Sequence, residues 1–152
     1  MMISHITKLL SIFILAALVF MSVSCTDAGV EPEQTQPPPP PGDDVSFAQQ
    51  IQPIFNSNGC TSCHGGSGGL FLTQGQSYTN LVNVNAQEGA CNTLKRVLPG
   101  NAAQSVLFIR VSSNSIDTQC GPNSRMPKDN PRLSQSQIDL IEQWINKGAK
   151  NN

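Results

Sequence analysis

Histidine, charged residues and long apolar runs are scarce in this 152-residue sequence, and these scarcities narrow the possible functions. Charged residues make up 12% of the chain, and the lysines and arginines form no basic stripe, so the charge pattern does not indicate a nucleic-acid-binding protein. The apolar run over residues 9–21 is shorter than the roughly 20 residues that a membrane-spanning helix needs. The length allows for one domain.

The first 24 residues have the pattern of an export signal. Lys8 precedes the apolar run, and small residues follow it up to Cys25. A basic start, a short apolar segment and a small-residue cleavage region are typical of a secretory signal peptide. We therefore expect residues 1–24 to be removed and the mature chain to fold outside the cytoplasm, where disulfides can form.

The residues around Cys25 resemble a bacterial lipobox, in which cleavage leaves a lipid-carrying cysteine at the new N-terminus. Ser24 fits the small residue before that cysteine, whereas Ser22 stands where Leu, Val or Ile is usual. We expect lipid on Cys25 and a lipoprotein anchored to a membrane, facing the periplasm of a Gram-negative bacterium. The alternative is ordinary cleavage nearby, which would release a soluble protein.

Residues 25–44 combine this lipid anchor with a proline-rich, acidic linker. Five acids, no Lys or Arg, and a run of five prolines over residues 37–41 occur there. Such a composition cannot bury a core and favours extended polyproline II structure. The sequence thus predicts a spacer before a domain over residues 45–150.

The motif Cys60-Thr61-Ser62-Cys63-His64 is the most specific signal in the chain. Two cysteines separated by two residues and followed by histidine are the pattern for covalent attachment of haem c. Each thiol can form a thioether with one vinyl group of the porphyrin, and the histidine then binds the iron. The motif predicts one covalent haem c on Cys60 and Cys63, with His64 as an axial ligand.

Three other uses of this cysteine pair remain open: a disulfide, a thioredoxin-like redox pair and a zinc site. A thioredoxin-like pair needs a βαβ context, which the sequence pattern does not indicate. A structural zinc site usually takes two ligand pairs, whereas Cys91 and Cys120 stand alone. With lipid and haem assigned, we expect Cys91 and Cys120 to form a disulfide with each other.

The second axial ligand follows from what remains after removal of the signal. His64 is then the only histidine, so two histidine ligands from one chain are excluded, and Met126 is the only methionine. Met126-Pro127 lies in the polar stretch 112–133, which reads as a long loop where a methionine has little use in core packing. Ligation of haem iron by the Met126 thioether fits this position. The alternatives are a gap-filling methionine and ligation by Lys128.

Apolar spacing predicts helices at both ends of the domain. Four residues fall on one face of a first helix that begins near Asp44 or Ser46 and is kinked or restarted at Pro53: Phe47, Ile51, Ile54 and Phe55. Four more mark a last helix that follows a capping box at Ser134 and ends before Gly148: Ile138, Ile141, Trp144 and Ile145.

Shorter patterns predict the elements between these two helices. Residues 76–84 are expected to form a short helix, and residues 105–111 a second one with Leu107 and Phe108 buried. The β-branched residues of the second segment leave a strand as the alternative. The glycine run over residues 65–69 is expected to let the backbone approach a flat ligand closely.

These pieces together resemble a class I mono-haem cytochrome c of the short exported lipoprotein type. The matching segments are residues 47–55, 60–65, 97–100, 126–127 and 133–149, within a resemblance that covers about 45–150. It implies an all-α class I cytochrome c fold with the N- and C-terminal helices crossing beside the haem, and a long Met-bearing loop. Many members carry a proline soon after the histidine whose carbonyl fixes the imidazole. Here none follows before Pro99.

The function we predict is one-electron transfer rather than catalysis, because a second axial ligand closes the iron to substrates. One alternative is a haem enzyme or a gas or redox sensor with a displaceable sixth ligand. Another is a structural metal-binding lipoprotein without haem. The expected partners are membrane-associated redox proteins and the membrane itself through Cys25, with no nucleic acid, and we expect a monomer.

Overall fold

The computed structural model of the protein describes residues 44–66, 69–87 and 89–152. A π-helical turn, Phe47–Ile51, runs into α1 (Gln52–Ser57), and α2 (Cys60–Cys63), α3 (Ser77–Leu81), α4 (Val106–Ser112) and α5 (Gln135–Asn146) follow. Short 3₁₀ turns occupy Gly89–Cys91 and Ala102–Gln104. Within the described ranges, extended structure is limited to isolated bridges such as Val82 with Val97. The prediction of an all-α domain is confirmed there, whereas the predicted signal, the lipidation site Cys25 and the linker up to residue 43 lie outside the described residues.

The first helix contains Pro53 without breaking. Ser46 caps it, because the Ser46 Oγ accepts a hydrogen bond from the Gln49 amide. The Gln52 amide donates to the Phe47 carbonyl, five residues back, and α1 starts at this point with Pro53 in its first turn. A regular α-helix would need an amide hydrogen at Pro53 and would press its ring against the Gln49 carbonyl. The wider π turn relieves both problems, and the helix restarts as an α-helix at Gln52.

The last helix begins and ends where the sequence predicts. The Ser134 Oγ accepts from the Gln137 amide, and the Ser134 amide donates to Gln137 Oε1 at 3.1 Å, which completes the capping box. Gly148, at φ +99°, provides the left-handed residue after the helix. All four predicted inward residues are buried, and so is Leu140.

The first and last helices pack against each other through aromatic rings. The Phe47 ring centroid lies 5.1 Å from that of Trp144 and 5.3 Å from that of Tyr78. Ile51 and Ile141 are fully buried in the same cluster. The Trp144 indole N–H donates to the Lys150 carbonyl at 2.9 Å. The expected contact between the two helices is therefore present. We call the buried cluster around Phe47, Ile51, Ile141 and Trp144 the helix core.

The segment after α5 covers the exposed start of the first helix. Asn152 accepts hydrogen bonds from the Phe47 amide on its side chain and from the Ala48 amide on its main-chain oxygen, at 2.9 and 2.8 Å. The first amides of a helix have no partner within the helix, so Asn152 satisfies two of them. Lys150 forms an exposed ion pair with Asp44 at 2.5 Å.

Two local predictions need correction. In α4 the buried residues are Val106, Ile109 and Val111, whereas Leu107 and Phe108 are only half-buried. Leu107 lines a cavity among the helices, and Phe108 lines a separate, more open depression beside Ile109 and Ser112. In the glycine run, Gly66 lies at φ +134°, and a Cβ there would be 2.8 Å from Phe71 Cε1. Gly66 therefore makes room for the Phe71 ring. The described glycines of this run are not among the residues that line the cavity.

Candidate functional site

A cavity of about 280 Å³ lies at the centre of the helices, and its wall is mainly apolar. Each of α1 to α5 contributes to this wall. Six of its apolar residues are Phe55, Leu72, Leu81, Leu107, Leu133 and Ile141. Cys60, Cys63, His64 and Met126 line the same cavity.

The Cys60–His64 motif is placed by a sharp turn and one turn of helix. Gly59, at φ +70°, separates α1 from α2 in a left-handed conformation that favours glycine. Because Cys60 and Cys63 are three residues apart in α2, their side chains lie on one face. The His64 amide donates to the Cys60 carbonyl at 2.9 Å, and the His64 carbonyl accepts from the Leu72 amide at 2.7 Å. The backbone of His64 is thus fixed from both sides.

The two thiols are chemically free. Cys60 is half-buried and Cys63 is exposed, and neither takes part in a disulfide. Burial raises the pKa of the Cys60 thiol, so this thiol is protonated at neutral pH. No bond joins Cys60 to Cys63 in the described structure, so both sulfur atoms remain available for other bonds.

His64 is held as a neutral imidazole. Burial lowers the pKa of His64, and the nearby positive charges of Arg110 and Arg96 lower this pKa further. The neutral form is the one that binds a metal ion. The Nδ1 atom of His64 is buried and has no hydrogen-bond partner among the described residues, in line with the missing proline carbonyl.

Met126 reaches the cavity through bonds to the end of α4. The last carbonyls of a helix lack partners within the helix, and the Arg110 carbonyl accepts from the Met126 amide at 2.9 Å. Arg132 Nη2 donates to the Ser112 carbonyl at 2.6 Å. Pro127, joined to Met126 by a cis peptide bond, is buried. The end of α4 therefore positions a methionine that lies more than 60 residues from His64 in the sequence.

Cys91 and Cys120 are bonded, with their sulfur atoms 2.00 Å apart. The bridge lies in a second apolar cluster with Ala86, Val106 and Ile109, which we call the disulfide cluster. It joins the segment before α4 to the loop that carries Met126. The predicted disulfide is thus confirmed at the level of the sulfur–sulfur distance.

Two arginines in the cavity wall were missed by the sequence analysis. Arg96 is 8% exposed and donates to the carbonyls of Asn80 and Gly69 at 2.9 and 3.0 Å. The Nε of Arg110 is buried and has no partner among the described residues. The signal that could have found Arg110 is its position as the one charge within the apolar run of residues 106–111.

The described structure has no cluster of metal-binding side chains and no membrane-spanning helix, and the chain has no match among known proteins. Across residues 44–66, 69–87 and 89–152, no three His, Cys, Asp or Glu side chains come together as a metal site. In the same ranges no helix has the length and apolar character that crossing a membrane requires. Comparisons of the chain with protein-family models, curated proteins and solved structures give no match. The Cys60–His64 motif and the cavity that it lines are therefore the features that indicate a function.

Proposed function

We propose that the protein is a one-electron carrier with a single covalent haem c, ligated by His64 and Met126 in a class I cytochrome c fold. The observation that carries this proposal is that Met126 and the motif Cys60 to His64 line one apolar cavity. The placement of Met126 beside the motif is unexpected by chance, because Met126 is the only methionine outside residues 1–24 and lies in a polar loop.

The donor set of the cavity fits a haem. Two unbonded thiols on one face of α2 can each form a thioether. A neutral imidazole and a thioether are the axial ligands of cytochromes with raised reduction potentials. A wall built mainly of aliphatic side chains suits a flat, largely apolar ring.

Each group of residues would then have one task. Cys60 and Cys63 would hold the cofactor covalently, and His64 and Met126 would ligate its iron. The haem, when bound, would supply one-electron chemistry. The apolar wall excludes water from the site, which limits the solvent rearrangement that accompanies a change of charge.

The sequence supports an extension of this proposal to the membrane. If Cys25 carries lipid, the 19 residues of 26–44 could span up to roughly 60 Å at about 3.1 Å per residue. The haem domain would then reach partners on the same membrane, and tethering would raise its effective concentration there. Cys25→Ser should release the protein into the soluble fraction with its haem intact.

The decisive experiment compares Met126→Ala and Met126→Leu with the unchanged protein, all matured with haem in a bacterial periplasm. The pyridine haemochrome spectrum should report one c-type haem per chain in all three. Both variants should lose the long-wavelength iron–sulfur charge-transfer band and show a lower reduction potential. The leucine side chain of the Met126→Leu variant cannot bind iron but fills a similar volume, so this variant separates ligation from packing.

Two outcomes would contradict the proposal. Absence of a c-type haem from the unchanged protein would favour a structural metal-binding lipoprotein. Carbon monoxide binding to the reduced, unchanged protein as readily as to Met126→Ala would favour an enzyme or a sensor with a displaceable sixth ligand.

A further inference from the structure

Arg110 is one of two residues in the cavity wall, with His64, that have a buried side-chain nitrogen without a partner among the described residues. Its Nε is buried without a partner among the described residues, although the side chain lines the cavity. A buried donor without an acceptor costs about as much free energy as a lost hydrogen bond. Arg96 shows the contrast, because two main-chain carbonyls accept from its guanidinium. A group bound beside Arg110 would therefore gain stability by supplying an acceptor.

The charge of the wall indicates which acceptor this is. Three cations line the cavity, namely Arg96, Arg110 and Lys128, and no Asp or Glu lines it within the described part of the chain. A guanidinium pairs best with a planar carboxylate. A ligand that is mostly apolar but carries carboxylates matches this wall, and haem has two propionates.

The main chain of Arg110 has a separate partner. Arg110 lies in the last turn of α4, where its carbonyl is free to bind outside the helix. That carbonyl accepts from the amide of Met126 at 2.9 Å. A ligand that binds the Arg110 guanidinium would therefore also restrain the Arg110 main chain, to which the Met126 amide is bonded.

We propose that Arg110 is a positioning residue whose guanidinium binds a haem carboxylate while its carbonyl holds Met126 toward the iron. This inference depends on the function proposed above. It goes further by giving the propionates a partner and by linking cofactor binding to the strength of the sixth ligand.

The test uses the full chain matured with haem, unchanged and as Arg110→Gln, Arg110→Lys and Arg125→Gln. In Arg110→Gln the propionate bending mode in the resonance Raman spectrum should move to lower frequency. The carbon monoxide affinity of the reduced protein should rise about tenfold, the equivalent of one lost charge-assisted hydrogen bond. Arg110→Lys keeps the charge but loses the planar fork, so both effects should be smaller.

Arg125→Gln is the matched control. Arg125 precedes Met126, and its amide bonds to the Ile116 carbonyl at 3.0 Å. Its side chain is not part of the cavity wall. The Raman mode and the carbon monoxide affinity should both stay as in the unchanged protein.

Several results would overturn the proposal. One is an unchanged Raman mode in Arg110→Gln, even with altered carbon monoxide affinity, since the guanidinium would then not touch a propionate. Another is that Glu88→Gln reproduces the effects, because Glu88, which lies outside the described residues, would then be the acceptor. If Arg110→Gln does not mature, Arg110→Lys decides by the same readouts. Lack of haem in the unchanged protein would instead overturn the proposed function, and the haemochrome spectrum distinguishes that case.

Discussion

The helix core and the disulfide cluster are held together in different ways. The helix core packs Phe47, Ile51, Ile141 and Trp144 between two capped helices. The disulfide cluster has only five buried members, of which two are Cys91 and Cys120. A small apolar cluster buries too little surface to offset the conformational entropy lost when long loops become ordered. The disulfide stabilises these loops by restricting the unfolded chain.

This contrast bears on the candidate site because His64 and Met126, the two proposed iron ligands, are attached to different parts of the fold. His64 follows directly from α1 and α2, which join the helix core. The Met126 amide is bonded to α4, which contributes Val106 and Ile109 to the disulfide cluster and Val111 to the helix core, and the Met126 side chain packs against the helix core. The His64 side should therefore resist local opening, and the Met126 side should depend in part on the disulfide.

The largest expected effect is from Trp144→Ala in the helix core. This change removes the ring contact with Phe47 and the indole bond to the Lys150 carbonyl. Truncation of a buried tryptophan costs about 3–5 kcal/mol, a large share of a domain's stability. Urea unfolding followed by circular dichroism would measure this cost.

Ile116→Ala is the control, because Ile116 is 61% exposed and its loss should change stability by less than about 0.5 kcal/mol. A cost for Trp144→Ala no larger than that of the control would mean that the ring packing contributes little.

The next effect is local and comes from the double variant Cys91→Ala with Cys120→Ala. Loss of a bridge that spans 29 residues should cost roughly 3–4 kcal/mol in the chain-entropy model. Hydrogen exchange should speed up in residues 85–96 and 113–133, whereas α5 should stay protected. The reduced haem protein should also bind carbon monoxide more readily, since Met126 is less restrained. A uniform loss of protection, with α5 exchanging as fast as the Met126 loop, would show that the two clusters form one cooperative unit.

The smallest effect belongs to the exposed ion pair beside the helix core. Hydrogen bonding and charge from Lys150 lower the pKa of Asp44 below its ordinary value of 3.8. A carboxyl group with a lowered pKa stabilises the fold above its unfolded-state pKa, and this contribution disappears as the pH falls through the folded-state pKa. Asp44→Asn should therefore lower the urea midpoint slightly at pH 7 and leave it unchanged near pH 2. An equal loss at both pH values would point to the Asp44 side chain acting by something other than its charge.

Much of the fold can be predicted from the sequence because helix capping and helical periodicity depend on residues that are close together in the chain. Ser46 and Ser134 cap helices through bonds that span only three residues. The apolar faces of the first and last helices follow from the helical repeat alone. The pairing of Cys91 with Cys120 followed from counting the cysteines. Where the prediction was wrong, at Leu107 and Phe108, the helical repeat could not reveal that Leu107 lines the cavity and that Phe108 lines a separate surface depression.

The sequence by itself determined the Cys60–His64 motif, the start and end of the last helix, the capping residues Ser46 and Ser134 and the candidate ligand Met126, because each depends on residue type and short spacing. Only the tertiary structure decided that the Arg110 carbonyl holds the Met126 amide and that Arg96 and Arg110 line the cavity. It alone placed Asn152 at the first amides of the opening helix. These contacts join residues that are 16 or more positions apart, and no local pattern encodes which distant partner a free helix end or a buried guanidinium will meet.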